Sequence, residues 1–152
     1  LPEDGPILCR SYPQRLISEK RGIALNEQIQ KVLEFHQVFN CFICRSPQGM
    51  IPQKEMDVRV KLMQEELDEY REAAASGDIV AVADALTDLL YVVYGTLIAH
   101  GLQDKAEALF DEVHRSNMSK LDEHGKPIHR EDGKVLKSNR FTGPDLESIL
   151  NS

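Results

Sequence analysis

The stretch Ile79-Val80-Ala81-Val82-Ala83-Asp84-Ala85-Leu86-Thr87-Asp88-Leu89-Leu90-Tyr91-Val92-Val93 decides the reading of this chain. It is apolar nearly all round, the pattern of a buried helix, yet two aspartates interrupt it. Asp84 and Asp88 stand four residues apart and share one helical face, with Val80, Ala81, Tyr91 and Gly95 beside them. A carboxylate on such a face is costly unless it is paired, hydrogen-bonded or bound to a metal. The pair therefore asks for a cation.

The segment just upstream offers more acids. Ser76-Gly77-Asp78 supplies a helix stop and a cap for the next helix. A second-position helix is expected before it, from Pro52 to about Ala75. Met56, Val60, Met63, Leu67, Tyr70 and Ala74 follow 4-3-4-3-4 spacing and predict its core stripe. A second stripe, Val58, Leu62, Glu65, Glu66, Glu69 and Ala73, is apolar at both ends and acidic in the middle. So short a turn predicts antiparallel packing of the two helices. Glu69 and Asp84 then lie eight and seven residues from Gly77, while Glu66, Glu65 and Asp88 lie eleven, twelve and eleven away. At about 1.5 Å per residue the acids come level in two tiers. Five carboxylates facing one another would repel, and hard divalent ions with oxygen ligands, Mg²⁺ or Mn²⁺, relieve that repulsion.

Around this pair the chain reads as an all-α antiparallel helix bundle with an irregular C-terminal tail. Residues 1–22 carry Pro2, Gly5, Pro6 and Pro13 and form an N-terminal arm. Residues 23–120 form the helical core. A first helix is expected over Leu25 to Phe42, with Ile29, Val32, Leu33, His36 and Phe39 on one face. The third is expected to end at Gly101, and a fourth to span Asp104 to Met118 with Ala108, Leu109 and Val113 inward. Residues 121–152 belong to the same domain and hold turns around a short hairpin, then a last helix from Pro144. Helix three carries more apolar surface, through Val82, Leu86, Leu89, Val93 and Leu97, than one antiparallel neighbour can cover. The bundle is therefore expected to be completed by homo-oligomerisation, as a dimer or a dimer of dimers.

The chain has 152 residues, enough for one domain with a real core. Its net charge of −7 and its pI near 5.2 exclude the basic footprint of a nucleic-acid or membrane-surface protein. The two aspartates argue against helix three as a membrane span. Cys9, Cys41 and Cys44, with no visible signal peptide, point to a cytoplasmic, reducing compartment. Because the sequence starts at Leu1, a processed or truncated N-terminus stays open. Cys41-Phe42-Ile43-Cys44 lacks two further ligands for a structural zinc site and reads as ordinary thiols near a helix end.

Several of these segments, taken in order, resemble a known family. Arg59-x-x-Leu62-x-x-Glu65-Glu66-x-x-Glu69, then Asp84-Ala-Leu-Thr-Asp88-Leu-Leu-Tyr91-Val-Val-Tyr94-Gly95, is similar to the all-α nucleoside triphosphate pyrophosphohydrolases, the MazG-like and phosphoribosyl-ATP pyrophosphohydrolase-like superfamily. The likeness continues through Glu112-Val113-His114-Arg115-Ser116-Asn117-Met118-Ser119-Lys120, Asp132-Gly133-Lys134-Val135-Leu136-Lys137 and Phe141-Thr142-Gly143-Pro144-Asp145-Leu146, and Phe35-His36 matches the first helix. The resemblance implies Mg²⁺ or Mn²⁺ held by Glu65, Glu66, Glu69 and Asp88. Many relatives carry a glutamate three residues before Asp88, where this chain has Ala85; Asp84, one residue earlier, can replace it on the same face. The resemblance further places Asn117, Lys120, Lys137 and His36 near substrate. It implies hydrolysis of a nucleoside triphosphate or phosphoribosyl-ATP-like substrate to the monophosphate and pyrophosphate, with Glu65 or Glu66 as catalytic base. Asn117 and Lys120 are three apart on one face, and cationic side chains suit phosphate oxygens that a metal does not reach. The alternative is a non-catalytic helical module that binds a metal or a nucleotide.

Overall fold

The computed structural model describes residues 26–152, which form five helices and one small hairpin: α1 (Glu27–Val38), α2 (Gln53–Ser76), α3 (Ile79–Ala99), α4 (Ala106–Met118), β1 (Ile128–His129), β2 (Val135–Leu136) and α5 (Leu146–Leu150). The chain divides into two compact units, Leu1–Asp104 and Lys105–Ser152. The expected arm, residues 1–22, and Cys9 lie outside the described residues.

In the first unit the boundaries follow local chemistry. Asn26 caps α1, its side chain accepting from the N–H groups of Gln28 and Ile29. The helix stops at Val38, earlier than its periodicity predicts, because Asn40 takes a left-handed φ of 54°. The Cys41 N–H then returns to His36 O at 2.8 Å, closing the turn. Gly77, at φ 73°, ends α2, and the Asp78 side chain accepts from Val80 N to start α3. This is the stop-and-cap the sequence predicts. Helices α2 and α3 form the main pair, and α1 packs on α3. Ile29, Val32 and His36 of α1 are buried, as are Ile98 and Ala99 of α3.

The segment after α1 is tied to the far end of α3. Cys44 N–H donates to Ile98 O, Gln48 N–H to His100 O, and Gln103 Nε2 to Cys44 O. Gly101 is required here: its φ is 70°, and an added Cβ would stand 2.1 Å from Ser46 O. Cys41 and Cys44 are half-buried, and neither is in a disulfide among the described residues.

Two expectations are corrected by burial. The expected core stripe of α2 is largely open: Met56, Val60 and Leu67 are exposed, while Ala73 of the acidic stripe is buried. The acidic stripe is therefore the one turned to α3. Asp84 and Asp88 are themselves accessible to solvent rather than buried, because the face they occupy opens at the edge of the helix pair. On α3, Leu86, Leu90 and Val93 are also exposed. Helix α3 is long and apolar enough to cross a membrane by length and composition, but two carboxylates at its middle make lipid a poor surrounding.

In the second unit β1 and β2 pair antiparallel, Ile128 opposite Leu136 and His129 opposite Val135. Segment 142–145 is strapped to α4. Glu112 accepts from Arg115 Nε and Nη2 and from Asp145 N–H, while Arg115 also donates to Thr142 Oγ1 and Gly143 O. Ser116, buried on α4, donates to Thr142 O. The α4 residues expected inward fit poorly: Val113 is exposed, and the buried position is Ser116. The strap explains this, since α4 uses that face to bond a polar segment.

The bonds from Arg115 and the Asp145 N–H hold the Glu112 carboxyl down at about 2. A carboxyl depressed on folding adds stability that is present above its ordinary value and lost as pH falls through the folded one. The Glu112 carboxyl carbon, followed by NMR, is predicted to titrate near pH 2. Glu112→Gln should remove the part of the acid sensitivity between the ordinary value of 4.5 and 2. A midpoint at the ordinary value would contradict the strap.

Candidate metal centre and active site

Helix α2 brings Glu65, Glu66 and Glu69 to the α3-facing side, and α3 supplies Asp84 and Asp88. Glu66 is their centre. Burial first, then the charges of Glu69, Asp88, Glu65 and Asp84, in that order, push its carboxyl above the usual range. With Glu66 itself, these are the five acids that the sequence predicts would face each other. Glu66 Oε2 is shielded from solvent and meets no hydrogen-bond donor among the described residues. A shielded carboxylate oxygen without a donor, ringed by four like charges, is suited to a cation. Among the described residues, however, no three His, Cys, Asp or Glu side chains stand close enough to form a ready ion cage. Like charges without a counter-ion keep their distance, so the arrangement is a loose cluster rather than a tight one.

The cluster has an inner and an outer side. Glu65 lies at the edge, with Lys61 one turn away at 3.6 Å and half its side chain exposed. Toward the α2–α3 turn, Glu69, Glu72, Ala73, Ala81, Asp84 and Ala85 line an open groove of about 360 Å³. Three alanines make that space. Ala85, at the position where many relatives carry a glutamate, is buried against α2 at 3% exposure.

At the other end of the pair, α1 joins the site. His36 is 3% exposed, and its Nδ1 donates to Phe42 O at 3.0 Å. Burial holds its pKa below the ordinary value; the Phe42 carbonyl opposes this, and the Arg59 charge adds to it. The ring therefore carries its proton on Nδ1. Nearby, Phe35 stacks on Phe39 at 4.4 Å and meets Tyr91 edge-on at 5.7 Å, while the Asn26 amide donates to Tyr94 Oη at 3.4 Å.

The remaining expected site residues sit in the second unit. Lys120 Nζ donates to Asn117 Oδ1 at 2.7 Å, so these two are brought together at the end of α4. Lys137 lies over the Phe141 ring at 4.4 Å, a cation–π contact that fixes its head group. Arg59, quoted in the α2 motif without a role, is held close to α3: its Nη1 would stand 2.8 Å from a Cβ added at Gly95. Its signal was Gly95: a glycine inside a long helix often marks a close approach, and Arg59 is what approaches.

A family model described as phosphoribosyl-ATP pyrophosphohydrolase matches residues 32–117. The chain belongs to that family. The match takes in most of α1, all of α2 and α3, and α4 as far as Asn117. It therefore includes His36 and all five clustered acids. Membership in this pyrophosphohydrolase family supports a hydrolase of pyrophosphohydrolase type, in agreement with the resemblance drawn from the motifs. No curated protein matches the chain closely.

A carboxyl whose folded pKa is raised adds stability below the ordinary carboxylate range, and that contribution is lost as pH rises through the folded value. At neutral pH without metal, Glu66 is thus a destabilising group. Glu66→Gln is predicted to melt higher than the parent in chelator at pH 7, and to lose any stabilisation by Mg²⁺. An unchanged or lower melting temperature in chelator would show that the acids do not crowd Glu66.

Proposed function

We propose that this protein is a metal-dependent nucleoside triphosphate pyrophosphohydrolase, cleaving a (deoxy)nucleoside triphosphate or a phosphoribosyl-ATP-like substrate to the monophosphate and pyrophosphate. The observation that carries the reading is Glu66, a shielded carboxylate among four others within a matched pyrophosphohydrolase domain. Glu65, Glu66, Glu69 and Asp88, with Asp84 beside them, would hold Mg²⁺ or Mn²⁺. Such an ion, when bound, supplies charge for the phosphate oxygens and acidifies water.

The chain's own residues divide the rest. Glu66 turns one oxygen inward and suits a ligand; Glu65, at the accessible edge, is left to take the proton from the attacking water. Asn117, Lys120 and Lys137 would bind substrate oxygens outside the metal's reach. His36, expected near substrate, is buried and would act there through its neighbours. The groove beside Ala85, Ala73 and Ala81 leaves space where many relatives place a longer acid. A second reading, a non-catalytic module that binds a metal or a nucleotide, draws its support from that same Ala85.

The exposed stripes Met56–Val60–Leu67 and Leu86–Leu90–Val93 support a homo-oligomer, because a second copy of this helix pair would cover both with like apolar surface. Cys41 and Cys44, in no disulfide among the described residues, suit a reducing, cytoplasmic setting.

Incubated with deoxy- and ribonucleoside triphosphates and Mg²⁺, the protein should release pyrophosphate and not orthophosphate. Asp88→Ala should lower that rate by about 100-fold or more. Binding without turnover on every nucleotide would favour the non-catalytic module. In sedimentation at micromolar concentration the chain should run as a dimer or larger; a monomer would overturn the shared bundle.

A further inference from the structure

Away from the acids, three helices meet at one point above Gly95. A methyl group added there would come within 2.8 Å of Arg59 Nη1 and within 2.8 Å of His36 Nε2. Contacts that short are repulsive, so only a residue without a side chain fits beneath this pair. The Nδ1 proton of His36 is committed to the Phe42 carbonyl, which leaves Nε2 as a neutral acceptor on the Arg59 side. Arg59 Nη1 and His36 Nε2 thus lie over the same point of bare α3 backbone.

We propose that Arg59, set in place by His36 and Gly95, binds a phosphoryl group of the substrate; this rests on the pyrophosphohydrolase reading above. Arg59 lies seven residues before Glu66, on the same face of α2 and about 10 Å along it. Its guanidinium is always charged and its fork matches phosphate oxygens two at a time. The group beside it over Gly95 is an imidazole and not a carboxylate, so His36 crowds the guanidinium without cancelling its charge. The side chain is half-buried, which limits screening by salt. Confinement of the head group against Gly95 also reduces the entropy lost when an anion binds. A metal–polyphosphate held at the acids extends phosphoryl oxygens along the helix pair, and Arg59 is the cation on that face. His36 and Gly95 touch no substrate atom and are positioning residues.

The test uses the full chain with Mg²⁺ and two calorimetric probes, inorganic pyrophosphate and a panel of the common nucleoside monophosphates. Arg59→Ala should weaken one of the two by about ten- to a hundredfold. Arg59→Lys, which keeps the charge but loses the fork, should recover part of it, and Gly95→Ala should weaken the same probe by a smaller factor. Loss for pyrophosphate places Arg59 on the departing phosphates; loss for monophosphate places it on the retained one. Melting temperatures are read alongside, and if Arg59→Ala does not fold, Arg59→Lys decides. Unchanged affinity for both probes in Arg59→Lys and Gly95→Ala, or no binding of either probe by the parent, overturns the proposal. Turnover is scored separately: a parent that releases pyrophosphate, with KM unmoved in Arg59→Lys, sinks this inference alone, whereas absence of turnover sinks the broader reading.

Discussion

Repulsion among like charges is the constraint on which this molecule turns. Two helices joined by Gly77 must pack antiparallel, and their contacting faces carry five acids. Packing pulls those faces together and charge drives them apart. The outcome is visible at Glu66, raised by burial and by its four neighbours, and in Asp84 and Asp88, which lie at the accessible edge. Nothing in the helical propensities of α2 or α3 calls for this placement. A hydrophobic pair of the same length would be simpler to fold. The acids are there at a cost in stability, and a divalent ion is the species that would offset it.

The same helix pair accounts for the surface that the first unit leaves uncovered. Turning the acidic stripe of α2 toward α3 forces the regular apolar stripe of Met56, Val60 and Leu67 outward. A helix has only so many faces, and once one is given to the acids another must bury the apolar residues elsewhere. The exposed apolar surface and the acid cluster are therefore consequences of one choice of rotation about the α2 axis. Gly95 belongs to the same geometry, since the close approach of Arg59 and His36 there sets how near α1 and α2 come to α3.

Much of this was legible in the residues. Ser76-Gly77-Asp78 announced the turn, because glycine alone tolerates the left-handed stop and aspartate readily caps the helix after it. Counting from that turn placed Glu66 level with Asp88, and the structure sets Asp88 near enough for its charge to help raise the Glu66 carboxyl. The rotation of α2 was not legible. Its 4-3-4-3-4 stripe has the period of a core face, and periodicity does not say whether that core lies within one chain or between two. The early end of α1 was hidden because its cause is Asn40, a residue that adopts φ above zero without announcing it as glycine does. Burial of His36 depends on Phe42, Arg59 and Gly95, which come from three separate segments. Such a meeting is a tertiary fact, and only Gly95, a glycine inside a helix, hinted at it.

Crystals soaked in Mn²⁺ would show whether the acids of α2 and α3 converge on a site for a divalent cation. An anomalous-scattering peak is expected within reach of Glu66, Glu69 and Asp88, with Glu66 Oε2 turned toward it. A peak located elsewhere, or none beside Glu66 at saturating Mn²⁺, would contradict that convergence.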